Sequence, residues 1–396
     1  METIVTHPIL GDFSIKMELG KGAFASVYLA VHKVHYYPIA LKIFDILDDE
    51  DEMEDVDVET AIFESFDNPL ICSIYDVFEF QGHKCLILEF VEGESLLDYA
   101  NENGPFTSAQ VRFLFLQIAT AVCSLHKQHI VHRDIKCENI IVNYNGNIKL
   151  IDFGFSVPLN PGDPLLTDTC GSPAYVAPEV VVGIPYGYEV DIWSLGVILY
   201  AISFGRLPFD HQNVVDIITM VATVEPEIPM DASPLLADLI QKLLNKDPAQ
   251  RITFEDIFKH PWITRDEFGR LYEYDASILD KYTMSPNGEL KIHPEIFDHV
   301  KTSKTIEDVK NDLIEKRRTR EALEYKILFR NEMMKYLCRV CFHLLKLAPK
   351  KKSLNEQQNE NSNLIAPKIN EILDPVQTGN LIAQSLSQPT NVVFED

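Results

Sequence analysis

The sequence predicts an α+β fold with two lobes, followed by a small helical region and a disordered tail. The first lobe is small, β-rich and includes one helix, and the second is large and α-helical. Residues 13–44 alternate apolar and polar side chains around turn signals, which is typical of antiparallel strands. Residues 107–125 place apolar side chains at helical spacing behind a capping box. Residues 353–396 are rich in Asn, Gln and Ser, a composition that does not support a packed core.

The composition excludes several classes of protein. The 396 residues are enough for two or three domains, and the apolar fraction of 46% is ordinary for a globular chain. A formal net charge of -25 disfavours nonspecific binding to nucleic acid or membranes. Seven scattered cysteines and an N-terminus unlike a signal peptide indicate a reducing compartment. We therefore expect a monomer in the cytoplasm, with the nucleus as the alternative, and no transmembrane segment.

The first two strands enclose a glycine-containing turn at residues 19–28. Gly20 and Gly22 would let backbone amides approach phosphate oxygens closely. The third glycine of the longer pattern is replaced by Ala25, and the turn alone fits an ordinary hairpin as well. Lys42, on a later strand, adds a cation that could meet the same phosphates, so the two features together favour a phosphate site.

A lysine on a strand needs an opposing carboxylate, and the sequence offers one candidate. Residues 45–59 are mostly acidic, and Glu59, ten residues before Pro69, is the expected partner of Lys42. The earlier acids fit a solvated helix N-terminus, where the macrodipole favours negative charge. Beyond the buried strand 86–88, residues 89–91 are expected to form a hinge between the lobes.

The stretch His-Arg-Asp-Ile-Lys-Cys-Glu-Asn at residues 132–139 lies between a predicted helix and an apolar strand. Asp134 could orient a hydroxyl, and the Lys136 ammonium could meet phosphate charge. Asn139 and Asp152, which lies past a hairpin turn, could hold hard cations. In this order the four side chains indicate phosphoryl transfer.

Further signatures lie in the large lobe. Residues 191–200 are apolar all round, which predicts a central buried helix. Over residues 13–263 the order of the motifs resembles that of eukaryotic protein kinases. The signatures at 190–210 and 245–263 resemble the calcium/calmodulin-dependent kinase group, and within it the AMP-activated and microtubule-affinity-regulating branch.

The resemblance implies a two-lobed protein kinase fold and an ATP- and Mg²⁺-dependent serine/threonine kinase, with Mn²⁺ as the alternative metal. Asp134 would accept or orient the substrate hydroxyl proton, Lys136 would face the transferred phosphate, and Asn139 and Asp152 would hold the metal. The residues implied to bind nucleotide are Leu19, Gly20, Lys21, Gly22, Ala23, Phe24, Ala25, Val27, Ala40, Lys42, Glu59, Leu88, Glu89 and Val91.

The same resemblance assigns supporting roles. Phe155 implies a preference for serine over threonine acceptors. The other supporting residues are Ser172 beside Asp134 and Lys136, Asp191 below the catalytic loop, the ion pair of Glu179 with Arg251, and the stacked Phe63, His132 and Phe153. We expect the substrates to be proteins with serine or threonine acceptors.

One position departs from the branch in a way that bears on regulation. Relatives carry a phosphorylatable threonine where this chain has Asp168, between Thr167 and Thr169. A phosphothreonine would bring nearly two negative charges to Arg133, and a carboxylate brings one. One hypothesis is that Asp168 partly replaces the phosphate and gives activity without an upstream kinase. The alternative is that Thr167 or Thr169 takes the phosphate.

The competing functional class is a pseudokinase or nucleotide-binding scaffold that acts through protein binding. Proteins of that class usually lose one or more of four residues, and this chain keeps them all. The four are Lys42, Asp134, Asn139 and Asp152.

The expected organisation places regulation in the C-terminal part. The segments are an N-terminal extension (1–12), a kinase domain (13–263) with N-lobe 13–88, hinge 89–91 and C-lobe 92–263, a linker (264–291), three short helices (292–330), a basic amphipathic helix (331–352) and a low-complexity tail (353–396). The three helices resemble a ubiquitin-associated-like domain, and a generic helical hairpin is the alternative. The basic helix either targets calmodulin or a membrane surface, or it packs on the kinase or continues the preceding domain. This region is the expected site of a regulatory protein.

Overall fold

The computed structural model describes residues 3–22, 25–45, 60, 67–144, 146–265, 270–285, 289–337 and 345–347. Ala23 and Phe24 of the glycine-containing turn, the expected lysine partner Glu59 and the expected stacking residue Phe63 lie outside the described residues. The expected tail at 353–396 lies outside them as well. Within these ranges a sheet comes first and a helical region follows, as the sequence predicts.

The small lobe is an antiparallel six-stranded sheet in the order β1-β2-β3-β4-β6-β5. Its strands are β1 Ile4–His7, β2 Gly11–Lys21, β3 Ala25–His32, β4 Pro38–Phe44, β5 Ile74–Phe80 and β6 His83–Leu88. Residues 1–12, expected as an extension before the domain, contribute β1 to this sheet. Val5 and His7, two residues apart, both face inward, and this alternation is what a half-buried strand requires.

The large lobe is built around two buried helices, α2 and α4. Its helices are α1 Leu96–Asn103, α2 Ser108–Lys127, α3 Pro178–Val181, α4 Glu189–Phe204, α5 Val214–Thr223, α6 Pro234–Leu243, α7 Phe254–Lys259 and α8 Pro261–Thr264. The predicted capping box is present, with Thr107 and Gln110 satisfying each other's backbone amides. Helix α4 is buried nearly all round, as predicted. Helix α2 is long and apolar enough to cross a membrane, but 67% of its most apolar stretch is buried, which fits a core helix.

Short strands between α2 and α4 hold the catalytic stretch in place. Strand β9 (Ile140–Asn143) pairs with β10 (Ile148–Leu150) and with β7 (Gly93–Ser95). Strand β8 (Ile130–Val131) pairs with β11 (Val157–Pro158). Strands β8 and β9 flank residues 132–139, and β10 precedes Asp152. These pairings therefore bring Asp134 and Asp152 close together.

The C-terminal region packs against the back of the small lobe. After β12 (Tyr272–Tyr274) come helices α9 Pro294–Phe297, α10 Ile306–Ile314 and α11 Arg320–Leu337. Leu323 and Ile327 of α11 are buried in one apolar cluster with Tyr75 and Phe78 of β5. Arg318, just before α11, forms an ion pair of 2.7 Å with the buried Asp76. Within the expected linker 264–291, the described segment 270–285 packs on the large lobe through Leu279.

The expected helix at 331–352 begins as a continuation of the preceding helical region, which is one of the alternatives, but the expectation is wrong at residues 345–347. Helix α11 runs without a break through Leu337, and Leu345–Leu347 forms strand β13, antiparallel to β12. The sequence Leu345-Lys346-Leu347 alternates with period two, and Lys346 lies in register opposite Glu273. Strand pairing therefore overrides the helical pattern there. Residues 338–344 and 348–352, which complete the expected helix, lie outside the described residues.

Candidate active site

The strand register assembles one wall of the expected nucleotide cleft. Val27 lies opposite Lys42 in the β3–β4 pair, and Ala40 lies opposite Leu88 in the β4–β6 pair. The expected hinge at 89–91 follows β6 directly. Positions that are far apart in the sequence thus become direct cross-strand neighbours.

The glycine-containing turn forms the edge of the same wall. Gly20 lies opposite Val27, and the β2–β3 register shifts between Glu18 and Gly20, so Leu19 occupies a bulge. The Gly22 amide donates a hydrogen bond of 2.8 Å to the Ala25 carbonyl, which closes the described part of the turn. Lys21 and Leu19 are exposed there. This arrangement suits a loop that covers a ligand.

Lys42 reaches across the cleft to the large lobe. Its Nζ lies 3.8 Å from Asp152 Oδ1 and 5.0 Å from the centre of the Phe44 ring. Asp152 has φ +62, and its carboxylate accepts a hydrogen bond of 3.3 Å from the Gly154 amide. Lys42, expected to bind phosphates, and Asp152, expected to bind metal, therefore lie next to each other in the cleft.

The catalytic loop brings its three predicted side chains into one hydrogen-bonded group. Asp134 is 5% exposed, and its Oδ2 lies 2.8 Å from Lys136 Nζ and 3.1 Å from Asn139 Nδ2. Its Oδ1 accepts hydrogen bonds from the amide and hydroxyl of Ser172, at 3.0 and 2.9 Å. Lys136 Nζ also donates to the Ser172 hydroxyl, at 2.8 Å. Ser172 thus orients both Asp134 and Lys136, as the resemblance implies.

Asn139 and Asp152 offer oxygens that suit a hard cation. Asn139 Nδ2 donates to both the carboxylate and the carbonyl of Asp134, which turns the amide oxygen to the other side. The Ile151 amide donates to the Asn139 carbonyl at 2.9 Å, and this tie keeps Asn139 next to the Asp152 segment. An amide oxygen and a carboxylate are ligand types that Mg²⁺ and Mn²⁺ accept.

Asp191 supports the loop from inside α4. Its carboxylate is fully buried and accepts the backbone amides of His132 and Arg133, each at 2.9 Å. It also lies 2.7 Å from His126 Nε2. Burial alone would raise the pKa of Asp191, but the hydrogen bond from His126 and the nearby imidazoles outweigh it, and the pKa is lowered. Asp191 therefore stays charged and holds the loop backbone.

Two further expected contacts are present in the large lobe. His132 and Phe153 lie with ring centres 4.9 Å apart, and both are fully buried. Arg251 and Glu179 form a buried two-pronged ion pair, at 2.7 and 2.9 Å. These contacts fix two segments of the large lobe.

The hinge contains a buried ion pair that sequence reasoning missed. The Glu89 carboxylate lies 2.6 Å from Lys149 Nζ, and both side chains are almost fully buried. Glu89 also accepts the Ser73 amide at 3.1 Å, and Lys149 donates to the Ile71 carbonyl at 3.2 Å. Glu89 was expected to bind nucleotide, but its buried carboxylate is paired through Oε2 and its amide donates to the Ser73 carbonyl at 2.8 Å, which leaves its carbonyl oxygen for that role. Lys149 lies between two apolar residues of a short strand, and nothing in that local sequence indicates a buried partner for it.

The expected regulatory pair is in contact. Arg133 Nη1 lies 3.2 Å from Asp168 Oδ2, and Arg133 Nε donates a hydrogen bond of 2.6 Å to the Phe155 carbonyl. The Asp168 carboxylate is 72% exposed, and pairs of this kind contribute about 0.2–1 kcal/mol. Thr167 and Thr169 are exposed on either side. Arg133 has a further partner that the sequence did not predict, the Tyr186 hydroxyl, which lies 3.4 Å from Nη1.

Comparisons with known proteins agree with this geometry. A family model described as protein kinase domain matches residues 13–263. The chain is 40% identical over 259 residues to serine/threonine-protein kinase SIK1 of Rattus norvegicus, covering 65% of this chain and 33% of that protein. It is 39% identical over 256 residues to SNF1-related protein kinase catalytic subunit alpha KIN12 of Arabidopsis thaliana, covering 64% and 52%. It is 35% identical over 352 residues to sucrose non-fermenting protein kinase 1 of Fusarium virguliforme, covering 84% and 50%. The chain thus spans one third to one half of the length of these relatives.

Proposed function

This chain belongs to the protein kinase domain family, and we propose that it is an active serine/threonine kinase that transfers the γ-phosphoryl group of ATP to protein hydroxyls. Of the three relatives, one is named a serine/threonine-protein kinase, one an SNF1-related protein kinase catalytic subunit and one a sucrose non-fermenting protein kinase. The observation that carries the proposal is the joint hydrogen bonding of Asp134, Lys136, Asn139 and Ser172 beside the Lys42–Asp152 contact. A chain that only bound nucleotide would not need this grouping.

The residues divide the work of phosphoryl transfer. Asp134 orients the acceptor hydroxyl and takes its proton as the oxygen attacks the γ-phosphorus and ADP leaves. Lys136, placed by its contact with Asp134, stabilises the charge on the transferred group. Lys42 holds the phosphates of the nucleotide from the small-lobe side. Ser172 keeps Asp134 and Lys136 in the geometry that the transfer requires.

ATP and a divalent metal fit the residues present. The amide oxygen of Asn139 and the carboxylate of Asp152 would hold Mg²⁺, with Mn²⁺ as the alternative. Bound there, the metal would neutralise phosphate charge. The apolar wall of Val27, Ala40 and Leu88, followed by the hinge backbone, suits a flat purine ring.

We propose protein substrates with serine acceptors preferred over threonine. Phe155, a large aromatic residue at the position that suggests this preference, lies three residues after Asp152 and is 48% exposed. We place the activity in the cytoplasm, with the nucleus as the alternative, and in a monomer. The helices of 292–330 are proposed as a ubiquitin-associated-like region that docks on the small lobe and offers a surface to a regulatory protein.

We also propose that the activity does not need phosphorylation of the segment before Ser172. The contact between Arg133 and Asp168 supports this, because it occupies the guanidinium that would otherwise await a phosphate. The alternative, that Thr167 or Thr169 is phosphorylated instead, gives a different result in the experiment below.

The test uses full-length protein made in bacteria without any activating kinase. We expect it to phosphorylate serine peptides in the presence of ATP and Mg²⁺, with threonine versions of the same peptides reacting more slowly, and to be stabilised thermally by ATP and Mg²⁺. Phosphoryl transfer that begins only after an activating kinase is added would contradict the proposal that no activating phosphorylation is needed. It would leave the proposed kinase activity intact. Stabilisation by nucleotide without transfer under any condition would identify a pseudokinase.

A further inference from the structure

The segment that precedes Ser172 is attached to the large lobe chiefly at Tyr186. The Tyr186 side chain is 4% exposed, and its hydroxyl donates a hydrogen bond of 2.7 Å to the Asp168 carbonyl. Leu166 and Tyr186 also exchange two backbone hydrogen bonds of 2.9 Å each. Three hydrogen bonds therefore join residues 166–168 to one position. We call residues 164–172 the activation segment.

The same hydroxyl joins the activation segment to the catalytic loop. Arg133 Nη1 donates to Tyr186 Oη at 3.4 Å, while Tyr186 donates to Asp168, so one oxygen both accepts and donates. Burial raises the pKa of the Tyr186 phenol, although Arg133 opposes this, so the hydroxyl keeps its proton at neutral pH. It can therefore hold both contacts throughout the physiological range.

The geometry beyond Asp168 leaves little slack before the catalytic group. At Gly171, with φ +96, a Cβ would lie 2.7 Å from the Arg133 carbonyl oxygen, so the backbones touch there. The next residue, Ser172, donates to Asp134 through both its amide and its hydroxyl. A displacement at Asp168 is thus carried within four residues to the group that orients Asp134 and Lys136.

Relative magnitudes decide between Tyr186 and the Asp168 carboxylate as the main attachment. An ion pair as exposed as Arg133–Asp168 shifts an equilibrium by about fivefold at most. Removing the Tyr186 hydroxyl takes the donor from the Asp168 carbonyl and one of two acceptors from Arg133 Nη1, and we expect the loss of both hydrogen bonds to cost more than the exposed pair contributes. The hydroxyl is therefore the stronger contact.

We propose that Tyr186 is the positioning residue that holds the activation segment in its working arrangement without a phosphate, with Asp168 in a secondary role. This deepens the kinase activity proposed above and rests on it. Tyr186 acts through its contacts with Asp168 and Arg133, which lead to Ser172.

The test compares Tyr186→Phe with Asp168→Asn and with Tyr188→Phe as the matched control. Tyr188 is two residues away, and its hydroxyl also donates to a backbone carbonyl, that of Leu159, but away from Arg133. Each full-length protein is assayed for kcat and the KM for ATP with a serine peptide. Amide hydrogen exchange is followed in residues 164–172 and in 191–204.

We expect Tyr186→Phe to lower kcat about tenfold or more with the KM for ATP within about twofold, and to speed exchange in 164–172 only. Asp168→Asn should lower kcat about fivefold at most, and Tyr188→Phe should stay within about twofold of wild type. An unchanged kcat and exchange in Tyr186→Phe, a larger loss in Asp168→Asn, or faster exchange in 191–204 as well would each overturn the inference. Should the wild type transfer no phosphate, the proposed function fails, and exchange still tests Tyr186.

Discussion

At the scale of single residues, buried charged side chains shape the site, and each is paired or hydrogen-bonded. The hinge illustrates this, because Glu89 and Lys149 are both nearly inaccessible and lie 2.6 Å apart. Lys149 lies on β10, three residues before Asp152, so the pair ties the hinge to the strand that leads to the proposed metal-binding carboxylate. Two buried charges in contact are tolerated, whereas one alone is not.

Replacing only one member of this pair should therefore be costly. We expect Lys149→Met to lower the free energy of unfolding by about 3–5 kcal/mol, because Glu89 would remain buried and charged. Urea unfolding followed by circular dichroism measures the change. The matched variant, Glu89→Leu with Lys149→Met, should recover most of the loss, since two apolar side chains replace two charges. A single variant within about 1 kcal/mol of wild type would rule out this account of the hinge.

The catalytic-loop residues and their contacts with Ser172, Asp191 and Asp168 were predicted, whereas two other long-range contacts of the site were not. Asp134, Lys136 and Asn139 lie in one stretch whose order carries the chemistry, so the sequence alone names them. The contact of Lys149 with Glu89 spans 60 residues, and that of Arg133 with Tyr186 spans 53. No local pattern marks such pairs, because they arise only when the lobe is folded.

Helix α11 is the element whose packing most changes the expected organisation. It lies across the outer face of the small-lobe sheet, with Leu323 and Ile327 in the same cluster as β5 and β6. Ion pairs at Arg318–Asp76 and His35–Glu324, at 2.7 and 3.4 Å, flank this apolar contact. The sheet therefore has its back covered by a part of the chain that follows the large lobe.

Truncating an apolar contact of α11 should destabilise the small lobe. We expect Ile327→Ala to lower the free energy of unfolding by about 2–5 kcal/mol, because Ile327 is fully buried. The control is Ile314→Ala on α10, where the side chain is 58% exposed and the expected change is below about 0.5 kcal/mol. Guanidinium titration of both variants provides the comparison. Equal effects would show that α11 does not pack on the sheet in solution.

Elements with strong local signals were predicted well, and elements that depend on distant pairing were not. The capping box of α2 and the apolar surface of α4 defined both helices. Strand β13 was expected as part of a helix, because basic and apolar residues around it follow a helical pattern. Its pairing with β12, more than 70 residues earlier, decides its structure instead. Likewise, β1 forms because its alternation finds a partner strand in β2.

At the scale of the whole molecule, the two lobes meet at the residues expected to handle phosphate. Lys42 comes from the sheet and Asp152 from the large lobe, and their contact of 3.8 Å crosses the cleft. The hinge connects the two lobes. Phosphoryl transfer requires side chains from both lobes to reach one phosphate, so the proposed function depends on this meeting point.

Phosphotransfer by the full-length wild type beside Asp134→Asn tests the central claim most directly. Asn keeps the shape of the side chain but cannot accept the hydroxyl proton. We predict that kcat for a serine peptide falls by about 10²–10⁴-fold while ATP with Mg²⁺ still raises the melting temperature. The exposed Asp231→Asn serves as the control and should match wild type. Equal transfer by wild type and Asp134→Asn, or no transfer by either, would contradict the assignment.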